Sequence, residues 1–246
     1  LEHYDPTSLL CTADSEDACL TEGQLETVMT HLRGVVDTEG NVIAPGVMPG
    51  AEASGEWRMW GLPGSVVPTT GEVLDSTLNG LVADMLRVWV YKDPNYDHND
   101  FDILNDRADL ERASAILDVN TGDLSEFQAN GGKILMYQGW NDYPLRPQRA
   151  IEYLHKVENA TGGVRKTTDF FRLFMVPGMA HCARGPGAWV TDYIDPLIQW
   201  VEEDTAPDSI IGTRPDGSFT RPQCVYPKLA RYNKGPENEA TSFVCD

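Results

Sequence analysis

Residues 131–142 read GGKILMYQGWND, and residues 170–187 read FFRLFMVPGMAHCARGPG. Each holds a short apolar run, Lys133 to Gln138 and Phe170 to Val176, of the kind expected for a buried strand. Between them, residues 147–159 carry Pro147 near the start and an apolar stripe at Ala150, Ile151, Leu154 and Val157, with a stop at Gly162-Gly163. That pattern predicts a helix. A last helix is predicted from Asp195-Pro196, with Ile194, Leu197, Ile198 and Val201 along one side. Strand, helix, strand, helix implies a parallel sheet with crossover helices, and hence an α/β fold class. Functional groups in such sheets gather just beyond the carboxyl ends of the strands. Asp142 follows the first run and His181 the second.

An acid after one strand and a histidine after the next form the second half of the nucleophile, acid, base order of α/β-hydrolases. There the serine precedes both, on a strained turn between strand and helix. No Gly-x-Ser-x-Gly occurs, and Ser65 in GLPGSVV sits among loop residues. The nucleophile is therefore expected upstream of Leu1, in a chain that begins as a processed or trimmed product. His3, His31, His98 and His155 are read as packed or solvent-facing.

The 246 residues are 41% hydrophobic, enough for a core in one large domain or two modest ones. Acidic residues outnumber basic ones 38 to 19, a formal charge of -19. That argues against nucleic acid and anionic membranes as partners. No apolar run approaches the length of a membrane span. Five cysteines lack C-x-x-C spacing. The plain reading pairs Cys11 with Cys19 and Cys224 with Cys245. Cys182 then either bonds another chain or stays a reduced buried thiol. Asn159-Ala160-Thr161 is a glycosylation sequon, and with the cysteines it points to secretion.

The texture changes near residue 128. Before it, helices are predicted at residues 21–32, 78–91 and 107–117. The first carries a Thr21/Gln24 capping box, the apolar side chains Leu25, Val28, Met29 and Leu32, and a stop at Gly34. Residues 38–70, rich in glycine and proline, read as a long irregular loop. Trp57, Trp60 and Trp89 could line an aromatic pocket, although ordinary packing is the commoner use of such residues. Asp93, Asp97, Asp100 and Asp102 lack the glycine and closing glutamate of an EF-hand and read as a solvated acidic loop. No metal is assigned to this chain.

Seven stretches carry a family resemblance. They are Tyr4-Asp5-Pro6 with LLC to Cys11, CLT from Cys19, VWVYKDPNYD from Val88, GGKILMYQGWND, FFRLFMVPGMAHC, APDSII from Ala206 and RPQCVYPKLARY from Arg221. The chain resembles the C-terminal half of the tannase/feruloyl esterase family of secreted α/β-hydrolases. The resemblance implies the C-terminal part of an α/β-hydrolase fold, residues 129–246, preceded by most of a large inserted lid, residues 1–128. It assigns Asp142 and His181 to a Ser-Asp-His triad. It also pairs Cys182 with a cysteine beside the serine, on an N-terminal chain held as a disulfide-linked heterodimer. Catalysis needs no cofactor, and a structural calcium belongs to that missing part. The implied substrates are aromatic esters, with galloyl esters favoured over feruloyl esters. A non-catalytic polyphenol- or carbohydrate-binding module and a metal-dependent hydrolase are the competing classes. Two departures stand out: Glu2 occupies a position where a cysteine is usual, and Gln138 replaces a frequent histidine, with no consequence legible in sequence.

Overall fold

The computed structural model describes residues 4–12, 18–50, 52–66, 69, 73–119 and 121–246. The two apolar runs form strands Ile134–Gly139 and Phe171–Val176, which pair in parallel from Ile134↔Phe171 to Gly139↔Val176. The second strand is buried along nearly its whole length, with Phe174 at 0% exposure. Such burial removes apolar surface from water on both faces and is worth about 1.5–3 kcal/mol per large side chain. Helix Gln148–Thr161 makes the crossover between them. It buries Ala150, Leu154 and Val157 against Phe171, Leu173 and Met175, and it ends at Gly162 in the left-handed conformation.

Beyond the second strand lie pieces that local patterning does not reveal. Strands Val190–Thr191, Ser209–Thr213 and Thr220–Cys224 make an antiparallel sheet in that order. An antiparallel bridge from Phe174 to Val225 and a 2.7 Å hydrogen bond from the Tyr226 N–H to the Leu173 carbonyl attach this sheet to the outer edge of Phe171–Val176. Strands Ala230–Tyr232 and Phe243–Cys245 close the C-terminus, stapled by the Cys224–Cys245 disulfide. Among the described residues, the free edge of Ile134–Gly139 pairs with no strand.

Helix Ile194–Glu203 forms as predicted but presents a different face inward. Trp200 is buried, with the Lys133 ammonium and the Arg172 guanidinium 5.3 and 5.7 Å from its ring. Of the predicted stripe, Ile194, Ile198 and Val201 are exposed and Leu197 is partly buried.

In the N-terminal segment, helix Glu22–Arg33 carries the predicted capping box. Thr21 accepts from the Gln24 N–H, and the Gln24 side chain accepts from the Thr21 N–H. Such caps stabilise a helix start by about 0.5–2 kcal/mol. The predicted 78–91 helix divides into Thr77–Met85 and a wider π-type turn at Leu86–Val90, and Arg107–Leu117 matches its expected bounds. The region expected as irregular loop is more ordered than that. It holds strand Val42–Ala44, paired with Val35–Val36, the short 3-10 turn Glu52–Ser54, and the π-helical turn Trp57–Gly61. The Cys11–Cys19 disulfide pins the start of the chain. His3 and Glu2 lie outside the described residues.

Candidate active site

The parallel pair delivers its acid and its histidine to one end. Gly139 closes the first strand where a Cβ would overlap the Met179 carbonyl, so glycine lets the chain pass the turn after the second strand. The Trp140 N–H donates to Val176 (3.0 Å), and the Asn141 N–H donates to Met179 (3.0 Å). The Asn141 side chain accepts from the Gly178 N–H at 3.0 Å and donates to the Gly50 carbonyl at 2.8 Å. Both strand ends and the N-terminal segment at Gly50 are thus tied together one residue before the acid.

Asp142 is 4% exposed, and a buried carboxylate must have partners. It accepts from the Leu145 N–H at 2.9 Å and from the Gln138 amide at 2.9 Å, and it meets His181 Nδ1 at 3.2 Å. Gln138, to which sequence reasoning assigned no consequence, also donates to the Leu145 carbonyl at 3.2 Å. It shares the carboxylate oxygen Oδ2 with the imidazole, while Leu145 holds Oδ1.

His181 stands on a tight loop, its side chain 28% exposed. The Ala183 N–H donates to the His181 carbonyl (2.8 Å) and the Ala180 N–H to the Arg184 carbonyl (3.2 Å). Cys182 and Arg184 adopt φ of 61° and 70°. For side chains with a Cβ this left-handed backbone costs roughly 1–2 kcal/mol each, a cost found mostly at functional loops. With Nδ1–H assigned as donor to Asp142, Nε2 is left as the basic nitrogen, and Cys182 Sγ lies 3.6 Å from it. Cys182 is exposed and is the one free cysteine among the described residues.

The turn Trp57–Gly61 packs against His181 and against Tyr143. Trp60 meets the His181 ring edge-on at 5.2 Å. Trp57 contacts Tyr143, the residue after the acid, at 5.9 Å and stacks on His31 at 5.1 Å. Burial pushes the Tyr143 hydroxyl pKa up, and burial also lowers that of the Arg146 guanidinium lying over its ring. A Cβ at Gly61 would overlap the Tyr143 hydroxyl. Gly61→Ala is therefore expected to destabilise the fold by about 1–3 kcal/mol, read as a lower midpoint in urea denaturation.

Other candidate residues lie elsewhere. Asp93, Asp97 and Asp102 accept backbone N–H groups of residues two positions on, in local turns. Among the described residues no three His, Cys, Asp or Glu side chains converge as a metal site. Asn159 is exposed near the end of its helix. His98 meets the Asn79 amide at 3.1 Å, and His155 lies 6.5 Å from Tyr226. Ser65 begins a two-residue strand. Trp60 and Gln138 are the contacts that sequence reasoning missed. The π-turn that places Trp60 is too short to show periodicity, and Gln138 carried only its one-turn spacing before Asp142.

Residues 3–246 match the family described as tannase and feruloyl esterase. An uncharacterized esterase of Xanthomonas campestris is 31% identical over 98% of this chain and 49% of its own length. A probable feruloyl esterase B-1 of Aspergillus terreus is 30% identical over 93% of this chain and 45% of its own. The crystal structure of feruloyl esterase B from Aspergillus oryzae superposes with a TM-score of 0.76 at 26% identity, covering 98% of this chain and 50% of that one. The chain spans about half the length of the curated relatives it matches.

Proposed function

The chain belongs to the tannase and feruloyl esterase family, and on that premise we propose that it is the acid- and base-bearing half of a secreted serine carboxylic ester hydrolase acting on aromatic esters. The observation that carries this reading is the 3.2 Å contact between His181 Nδ1 and buried Asp142, past the ends of two parallel strands. His181 Nε2 would take the proton of a serine hydroxyl as it attacks the ester carbonyl, then give it to the leaving alcohol. Asp142 would hold the imidazole in that tautomer and stabilise its cation. Serine and most oxyanion donors would come from the other half of the enzyme.

Two features support a partner for this chain: the edge of Ile134–Gly139, which pairs with no strand among the described residues, and exposed Cys182. Residues 1–128 would serve as most of the lid and residues 129–246 as the end of the catalytic sheet. Calcium, implied by the family resemblance, would belong to the other half.

Galloyl esters stand first on the resemblance of the sequence blocks. Feruloyl esters are the second reading, and the named fungal relatives favour it. The test is kcat/KM of the two-part enzyme for methyl gallate and methyl ferulate. A higher value for gallate supports the first and for ferulate the second. Binding of both without turnover would make this chain a non-catalytic module and end the proposal.

A further inference from the structure

We infer that Trp60, locked by the buried carboxylate of Glu56, is a positioning residue for the His181 imidazole. This rests on the reading of His181 as the base. Among the described contacts, Asp142 is the only hydrogen-bond partner from another element for the imidazole, and 3.2 Å is at the long end for such a bond. One hydrogen bond leaves a partly exposed ring able to swing about the Nδ1–Oδ2 line. The indole of Trp60 stands 88° to the imidazole plane, 5.2 Å centroid to centroid, and blocks that swing.

The indole must itself be fixed, because it projects from a five-residue turn that cannot hold a conformation alone. Trp60 Nε1 donates to Glu56 Oε2 at 3.0 Å. Glu56 is only 2% exposed, an expensive place for a carboxylate unless its hydrogen bonds serve the structure. The Thr77 hydroxyl donates to the Met59 carbonyl at 2.7 Å, tying the turn to the helix behind it. The Arg184 guanidinium reaches Met59 Sδ at 3.7 Å, joining the turn to the histidine loop. Lid and base are knit at this one place.

A residue that acts through the imidazole changes the chemical step for every ester alike, whereas a pocket wall discriminates between acyl groups. In the two-part enzyme, Trp60→Ala is expected to lower kcat about 10- to 100-fold, by the same factor for methyl gallate and methyl ferulate, with KM little changed. Glu56→Leu leaves Nε1 without an acceptor and gives a smaller loss of the same kind. Glu56→Gln keeps an acceptor oxygen and recovers most of that loss. Wild-type kcat in Trp60→Ala overturns the inference. So does a KM that rises differently for the two esters, which would make Trp60 an acyl-pocket wall. If Trp60→Ala does not fold, equal kcat in Glu56→Leu and Glu56→Gln overturns it. His181→Ala is the control: full activity there ends the triad reading itself, independently of any result at Trp60.

Discussion

Asp142→Asn in the proposed two-part enzyme is expected to lower kcat about 10⁴-fold while the fold survives. The carboxylate has three fixed neighbours: the Leu145 N–H, the Gln138 amide and His181 Nδ1. An asparagine carbonyl can keep the Leu145 bond, so the turn after the strand stays formed. Its NH₂ must then point where Oδ2 was, facing the Gln138 amide donor and the imidazole. A donor there forces Nδ1 to accept, which moves the ring proton to Nε2, the nitrogen that must be free to take the serine proton. The loss is thus one of tautomer and of imidazolium stabilisation, not of structure. Circular dichroism and thermal midpoints close to wild type should accompany the kinetic defect. His181→Ala should be at least as damaging, and the double variant little worse than either, because the two groups act as a unit. Activity near wild type in either single variant would remove the acid–base assignment.

The end of the molecule that carries Asp142 and His181 is legible in sequence because it depends on local rules. Apolar runs of strand length, a proline-started helix and glycine punctuation between residues 131 and 176 agree on one parallel crossover, and the structure has it. Asp142 and His181 are brought into contact by that crossover and not by proximity in the chain. The two short-range disulfides follow from spacing in the same way.

Where the structure departs from the sequence reading, tertiary context overrides a local pattern. Helix Ile194–Glu203 has a legible apolar stripe, but its buried side chain is Trp200, which lies outside that stripe and whose ring Lys133 and Arg172 approach. Periodicity reports a helix; which side is buried depends on what lies beneath it. The turn Trp57–Gly61 has no periodic signature, since its stabilising partners, Tyr143 and His181, lie far along the chain. The strands after residue 208 are short, and one contains Pro222, which contributes no N–H to a ladder. Their attachment to the parallel pair runs through the bridge of Val225 to Phe174, a contact between residues far apart in the chain.

If this chain is one half of the proposed two-part enzyme, Cys182→Ser is expected to uncouple the halves. Sγ is exposed on the Nε2 side of the imidazole, 3.6 Å away, the side from which a serine hydroxyl must approach. A disulfide formed there would hold the partner cysteine's Cα within about 5.5–6 Å of that of Cys182. A serine adjacent to that partner would then lie within reach of the base. Replacing sulfur by a hydroxyl preserves size and keeps the same left-handed backbone at φ 61°, so the effect isolates the covalent link. Loss of such a link typically costs about 2–5 kcal/mol of stability. It also makes assembly depend on protein concentration, because binding between the halves replaces a fixed connection. The variant should therefore melt earlier and lose rate on dilution, and reductant should impose both defects on the wild type. Denaturing electrophoresis without reductant gives the direct readout. Wild type should migrate as the joined halves and Cys182→Ser as two separate chains. Replacing Cys11 and Cys19 together should leave the halves joined, since that disulfide closes only an eight-residue separation within this chain. Wild-type protein that separates into two chains without reductant would show that no such bridge exists, and positioning of the imidazole would then rest on Asp142 and Trp60.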